Sequence, residues 1–220
     1  METKAFLHVL KTLRRAPVLR RAPIFQMKLS RGHSPFAVLV ATLLSARTQD
    51  TVTVPAAERL LRAAPTPERL AALDETTIAR LIYPVGFYRT KARHLRKLAQ
   101  VLVERYGGRV PDTLEELTRL PGVGRKTANL VLGEAFGKPA ICVDTHVHRI
   151  SNRLGIVRSQ TPLETERQLM EKVPPAHWAD INVYLVALGQ TVCLPRNPRC
   201  PECPVRRWCE RVGVAGPMEP

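Results

Sequence analysis

Four cysteines stand near the end of the chain with the spacing Cys193-x6-Cys200-x2-Cys203-x5-Cys209, and the 220 residues contain only one other, Cys142. Thiolates so close together in sequence can converge on one point. The segment that carries them, CLPRNPRCPECPVRRWC, is rich in proline and charge and poor in large apolar residues, so ligation rather than packing would have to order it. Only Cys200 and Cys203 form the short chelating pair that zinc sites use. The long outer spacings suit a tetra-cysteine iron–sulfur cube slightly better than zinc, and spacing alone leaves both open. Disulfides are the weaker alternative, because they require an oxidising compartment and nothing in the sequence points to export. Cys142 reads as a small buried apolar residue.

A second concentration of chemistry lies in LPGVGRKTA, Leu120 to Ala128. Pro121 stops one helix, Gly122 and Gly124 permit backbone conformations closed to other residues, and Arg125 starts the next helix. The pattern predicts a helix–hairpin–helix in which Gly122, Val123, Gly124 and Arg125 present backbone N–H groups to a DNA phosphate, without regard to base sequence. A nucleotide-binding P-loop is excluded, since Arg125 separates Gly124 from Lys126 and a helix precedes the loop. Lys126 falls in the first helical turn, where the helix dipole and Arg125 disfavour its ammonium form, so it can serve as a nucleophile; a phosphate-binding lysine is the alternative. Asp144, in AICVDTH, is a candidate carboxylate partner, and an N-cap is its structural alternative. His146 and His148 are two apart on the same predicted helix and so do not share a face, which argues against a metal pair.

The elements that must position these residues read as helices almost throughout. Ser34-Pro35 opens a helix to about Arg47 that is apolar on nearly all sides and belongs in a core. A basic helix from about Thr90 to Tyr106 carries the stripe Leu95, Leu98, Val101 and Leu102 and ends at Gly107-Gly108. Asp112 and Glu115 predict a capping box for a short helix to Leu120, and Thr161 with Glu164 predicts another for a helix to about Val173. Asp144-Thr145 starts a helix to Leu154, and an apolar helix from about Ala176 to Thr191 leads into the cysteines. No strand alternation persists, so the expected fold class is all-α.

Composition narrows the partner. The balance of 34 Lys plus Arg against 19 Asp plus Glu gives +15, with a pI near 10.4, which favours a polyanion. The excess is clustered at residues 1–31, at 86–109 and in the cysteine segment. The longest apolar stretch, Phe36 to Ala46, is too short to span a bilayer, so nucleic acid outranks membrane. The expectation is a soluble intracellular protein without a secretion signal, cytoplasmic and nucleoid-associated if bacterial. Residues 1–31 fit either an Arg-rich transit peptide or a DNA-facing basic helix.

These motifs resemble endonuclease III, in the helix–hairpin–helix superfamily of DNA glycosylases with the Gly/Pro…Asp signature. The resemblance runs through LLSARTQD at Leu43 to Asp50, VGFYRTKA at Val85 to Ala92, LPGVGRKTANLVLGEAFG at Leu120 to Gly137, VDTHVHRISNRLG at Val143 to Gly155, and the cysteine segment. It implies a [4Fe–4S] cluster on Cys193, Cys200, Cys203 and Cys209. It also implies two helical lobes with a DNA-binding cleft: residues 28–138 as a six-helix lobe with the hairpin, and residues 1–27 with 139–220 as a lobe carrying the cluster. The resemblance makes Lys126 the catalytic amine and Asp144 the essential carboxylate, facing each other across the cleft. The implied activity is removal of oxidised pyrimidines from duplex DNA by a monomeric bifunctional glycosylase and abasic-site lyase. Adenine-mismatch glycosylases share the cluster but lack the lysine, and oxidised-guanine glycosylases of the superfamily lack the cysteines.

One position departs from the family pattern. The glutamine that fills the gap left by an extruded base is replaced by Arg47, which has different donors and an added charge; Gln49 is a second candidate for that contact. Phe87 stands where the family has an apolar wedge, so its ring could enter the duplex beside the gap; an ordinary packed aromatic is the alternative. His146 is close enough in sequence to orient Asp144. A non-catalytic module that binds damaged DNA is the competing class.

Overall fold

The computed structural model describes residues 1–26 and 34–214, and every regular element among them is helical. The α-helices are α1 (Thr3–Arg15), α2 (Pro35–Ser45), α3 (Asp50–Ala63), α4 (Pro67–Ala71), α5 (Glu75–Ile82), α6 (Tyr88–Tyr106), α7 (Leu114–Thr118), α8 (Arg125–Phe136), α9 (Thr145–Leu154), α10 (Pro162–Lys172) and α11 (Trp178–Thr191). The expected all-α class is therefore observed. The chain forms two compact units, one of Met1–Met27 with Pro139–Pro220 and one of Lys28–Lys138.

In the unit of Lys28–Lys138, α2 is the central element. Ser34 caps it by accepting from the Ala37 N–H, Pro35 supplies its first turn, and Phe36, Val38, Leu39, Val40, Ala41, Leu43 and Leu44 are all buried. It packs on α3, α6 and α8, as a helix apolar on all sides must. Helix α6 starts at Tyr88, two residues before the expected point, and its buried stripe is Ala92, Leu95, Leu98, Ala99 and Leu102. Val101, expected in that stripe, is half-buried; Ala92 and Ala99 are buried with the leucines, and α6 packs on α4 and α5. The expected capping box at Asp112 and Glu115 is one residue out of register. Thr113 caps α7, accepting from the Glu116 N–H and donating to Glu116 Oε2, while Asp112 turns away to pair with Lys138 Nζ. Seven α-helical segments occur among the described residues of this unit, α4 and α7 having five residues each, where six helices were expected.

In the other unit the amino-terminal segment is part of the core. Phe6, Val9, Leu10 and Leu13 of α1, at helical spacing, pack with Ile141, Val147, Ile150 and Leu154 and with the α11 residues Ile181, Leu185 and Leu188. Each such burial stabilises the unit by about 1.5–3 kcal/mol. Lys4, Lys11, Arg14 and Arg15 occupy the exposed face of α1. The segment is thus an amphipathic core helix; the Lys28 and Arg31 end of the basic stretch lies outside the described residues. A polar cluster joins α9 to α10: buried Thr165 Oγ1 lies 2.6 Å from both His148 Nδ1 and Ser159 Oγ, and Asn152 Nδ2 donates to Ser159 Oγ.

The capping box at α10 forms as expected. The Glu164 N–H donates to Thr161 Oγ1, and Glu164 Oε2 accepts from the Gln160 and Thr161 N–H groups. Thr161→Val should lower unfolding stability by about 1 kcal/mol, measured by urea denaturation, because one orphan donor loses its partner while the side-chain volume is kept.

Candidate functional site

The hairpin between α7 and α8 is built as the residue types demand at one glycine and differently at the other. Gly122 has φ 79°, and a Cβ there would lie 3.0–3.2 Å from the ring and Cβ of His94 on α6. Only glycine fits both the left-handed backbone and this close approach. Gly124 was expected to need the same freedom, but its φ of −91° and ψ of 171° are open to any residue, and a Cβ there would meet no protein atom within 4 Å. Its glycine instead leaves clear space in front of the first turn of α8, to which it contributes no side-chain cap. Val123 is buried and anchors the hairpin, while Arg125 and Lys126 are exposed in that first turn.

Arg47 and Phe87 come together in the same unit, on the loops that precede α3 and α6. Both have left-handed backbones, φ 54° and 56°, and the Arg47 guanidinium carbon lies 5.7 Å from the centre of the Phe87 ring. Phe87 is 63% exposed, an unusual cost for a phenyl ring held on a strained backbone, and outliers of this kind concentrate at functional sites. Gln49, also exposed, is the N-cap residue of α3, where its carbonyl accepts from the Val52 and Thr53 N–H groups.

In the other unit Asp144 is the N-cap of α9. Its Oδ1 accepts from the backbone N–H groups of His146 and Val147, each at 2.9 Å. The cap role, considered as an alternative to catalysis, is in fact the device that fixes this half-buried carboxylate at the positive end of a helix. His146 holds Asp144 through its backbone N–H. Its ring lies against Gly189 of α11 and within 3.2 Å of Arg149 Nη2, whereas His148 points to α10.

Arg149 and Arg153 were not singled out by sequence, yet they tie the cysteine segment to α9. Arg149 Nη2 donates to the Cys193 carbonyl at 2.8 Å, and Arg153 donates to the carbonyls of Leu194 and Pro195 at 2.7 and 2.8 Å and to Cys193 Sγ at 3.3 Å. Both lie one and two turns after Thr145, so an i, i+4, i+8 reading of α9 reveals this face. The five cysteines are all unpaired by disulfides. Cys193, Cys200, Cys203 and Cys209 line one small cavity, together with Arg153, Arg199, Arg206 and Arg211. Burial pushes the Cys203 thiol up to about 11, with the other three cysteines adding to the shift, and raises Cys209 as well. Such thiols stay protonated until a metal displaces the proton. Among the described residues no group of three or more His, Cys, Asp or Glu could hold a metal ion. Cys142 is buried, as expected, and no described helix is long and apolar enough to cross a membrane.

A hairpin bared at a helix start, an exposed lysine behind it and a capped aspartate after an apolar run define a class, and comparison with known proteins gives the same class. The family model described as HhH-GPD superfamily base excision DNA repair protein matches residues 40–175. Endonuclease III of Thermotoga maritima is 51% identical over 176 residues, which are 80% of this chain and 83% of that protein. The chloroplastic endonuclease III homolog 2 of Arabidopsis thaliana is 42% identical over 217 residues, 91% of this chain but 56% of that longer protein. A solved structure of a trapped endonuclease III–DNA covalent intermediate, an estranged-adenine complex, matches with a TM-score of 0.84 at 35% identity, covering 96% of this chain and 97% of that one. The chain belongs to the endonuclease III family within the HhH-GPD superfamily.

The two hairpin glycines should separate on substitution. Gly122→Ala should cost about 1–2 kcal/mol of stability from backbone strain alone. Gly124→Ala should leave thermal unfolding unchanged but weaken duplex DNA binding about tenfold, equivalent to about 1.4 kcal/mol, in a fluorescence-anisotropy titration.

Proposed function

We propose that this protein excises oxidised pyrimidines from duplex DNA and cleaves the resulting abasic site, with Lys126 as the amine and Asp144 as the assisting carboxylate. A base-excision-repair DNA glycosylase and lyase acting on damaged duplex DNA is the class to which the family belongs. The observation that carries the finer reading is Lys126, exposed in the first turn of α8, directly behind a hairpin with open space at Gly124.

The chemistry follows from those groups. The target nucleotide leaves the stack at a cost of a few kcal/mol, least where damage has weakened pairing. Lys126 Nζ, once deprotonated, attacks C1′, and the bond from C1′ to the base breaks with its electron pair going to the base, which takes up a proton. The C1′–O4′ bond of the resulting aminal then breaks, O4′ taking up a proton, which leaves an iminium between C1′ and Lys126; loss of a C2′ proton then expels the 3′ phosphate and nicks the strand. Asp144 carries its negative charge where positive charge develops on the sugar, and its free Oδ2 can accept the proton that leaves the incoming amine. Arg47, Gln49 and Phe87 are assigned to the duplex at the vacated position, and Gly122, Val123, Gly124 and Arg125 to backbone phosphates.

The same reading gives the four cysteines a [4Fe–4S] cluster. Four thiols that line one cavity match the ligand number such a cluster takes. When bound, it supplies four covalent ties that order the cysteine segment, and Arg153 donates to the Cys193 sulfur.

Incubation with abasic duplex and borohydride should yield a covalent protein–DNA adduct that Lys126→Ala abolishes. An adduct that survives this change would overturn the role of Lys126, and tight binding without adduct or nicking would indicate a damage-binding module. Cys200→Ser should lose iron and its visible absorption and reduce DNA affinity; stoichiometric zinc in the purified protein would overturn the cluster assignment.

A further inference from the structure

Lys91 lies in the first turns of α6, and its ammonium reaches across to the far end of α2. Nζ donates to the carbonyls of Leu44 and Ala46 at 2.7 and 2.6 Å and to Thr48 Oγ1 at 3.1 Å. Those carbonyls belong to the C-terminal end of α2, which has no continuing helix to satisfy them, and a lysine there also meets the negative end of the dipole. Thr48 Oγ1 accepts a second bond, from the Gly86 N–H at 3.1 Å, so one hydroxyl joins the two loops. At Gly86 a Cβ would stand 2.9 Å from the Arg47 carbonyl oxygen, and no larger residue fits between them.

The residues bracketed by this network are Arg47, between Ala46 and Thr48, and Phe87, directly after Gly86. Both hold left-handed backbones, and each strained residue persists only where its surroundings over-determine it. A surface lysine with no task would extend into water. This one is drawn inward far enough that burial lowers its pKa to about 8, a cost offset by its three oxygen acceptors.

We propose that Lys91 is a positioning residue that, through Thr48, clasps the two loops into one pre-formed probe, so that Arg47 and Phe87 enter a duplex as a pair and not independently. The inference rests on the assignment of Arg47 and Phe87 to the duplex made above. It concerns base extrusion and not the bond-breaking steps. Loss of the clasp therefore separates substrates by whether a base must still be extruded.

The test uses Lys91→Met, which keeps the chain length and removes the donors, and Thr48→Val, which removes only the hydroxyl link and serves if the first variant is unstable. Wild-type protein should raise the fluorescence of 2-aminopurine placed opposite a damaged pyrimidine, reporting unstacking at the probed position. Either variant should lose most of that rise and slow base excision about tenfold, while nicking of a pre-formed abasic site stays within about twofold. In wild type the effects of Arg47→Ala and Phe87→Ala should be strongly non-additive; with the clasp removed they should become additive. Equal losses of excision and abasic-site nicking, or an undiminished fluorescence rise, would overturn the clasp. A wild-type fluorescence rise without base excision would instead overturn the proposed glycosylase chemistry and leave the clasp standing.

Discussion

The N–H groups at the start of an α-helix need partners from outside the helix, and the two residues assigned to chemistry both sit where that need arises. At α9 it is met by Asp144, whose Oδ1 takes two backbone N–H groups and is fixed by them. At α8 the N-cap residue is Gly124, which brings no side chain, and the space in front of the first turn is left clear. A carboxylate gains from the positive end of a helix. One backbone feature, used with and without a side-chain cap, thus fixes a carboxylate at one helix start and leaves the other open beside an exposed lysine.

Carbonyls left over at one helix end and in the loop after another helix are met by long cationic side chains. Lys91 covers the end of α2, and Arg153 covers the carbonyls of Leu194 and Pro195 that follow α11. In both places the cation holds a loop that lacks regular structure: the Arg47 turn in one unit and the cysteine segment in the other. Arg149 extends the second case by joining the first turn of α9, beside Asp144, to the Cys193 carbonyl. The basic excess of the chain therefore has two uses. Some of it stands on exposed faces such as that of α1, and some of it is internal scaffolding.

Much of the architecture was legible because its causes are local. Ser34, Thr161 and Asp144 are caps wherever a helix follows them, and the apolar residues of α2 have no choice of side. Where neighbouring residues compete for the same role, the local signal was insufficient: Thr113 and not Asp112 caps α7, since Asp112 has a better partner in Lys138. Gly124 shows a second limit. A glycine can be required by its own backbone angles or by what approaches it, and the letter is the same in both cases.

The sequence by itself determined the helical class, most helix starts, the cysteine spacing and the residues whose types suit amine and carboxylate chemistry. These follow from hydrogen-bonding groups and apolar periodicity within a few residues of each other. Only the tertiary structure decided that Lys91 grips the α2 end, that Arg47 and Phe87 meet, and that Arg149 and Arg153 hold the cysteine segment. Those contacts join residues about 40 positions or more apart, and a charge in a sequence carries no mark of whether its partner is water or a distant carbonyl.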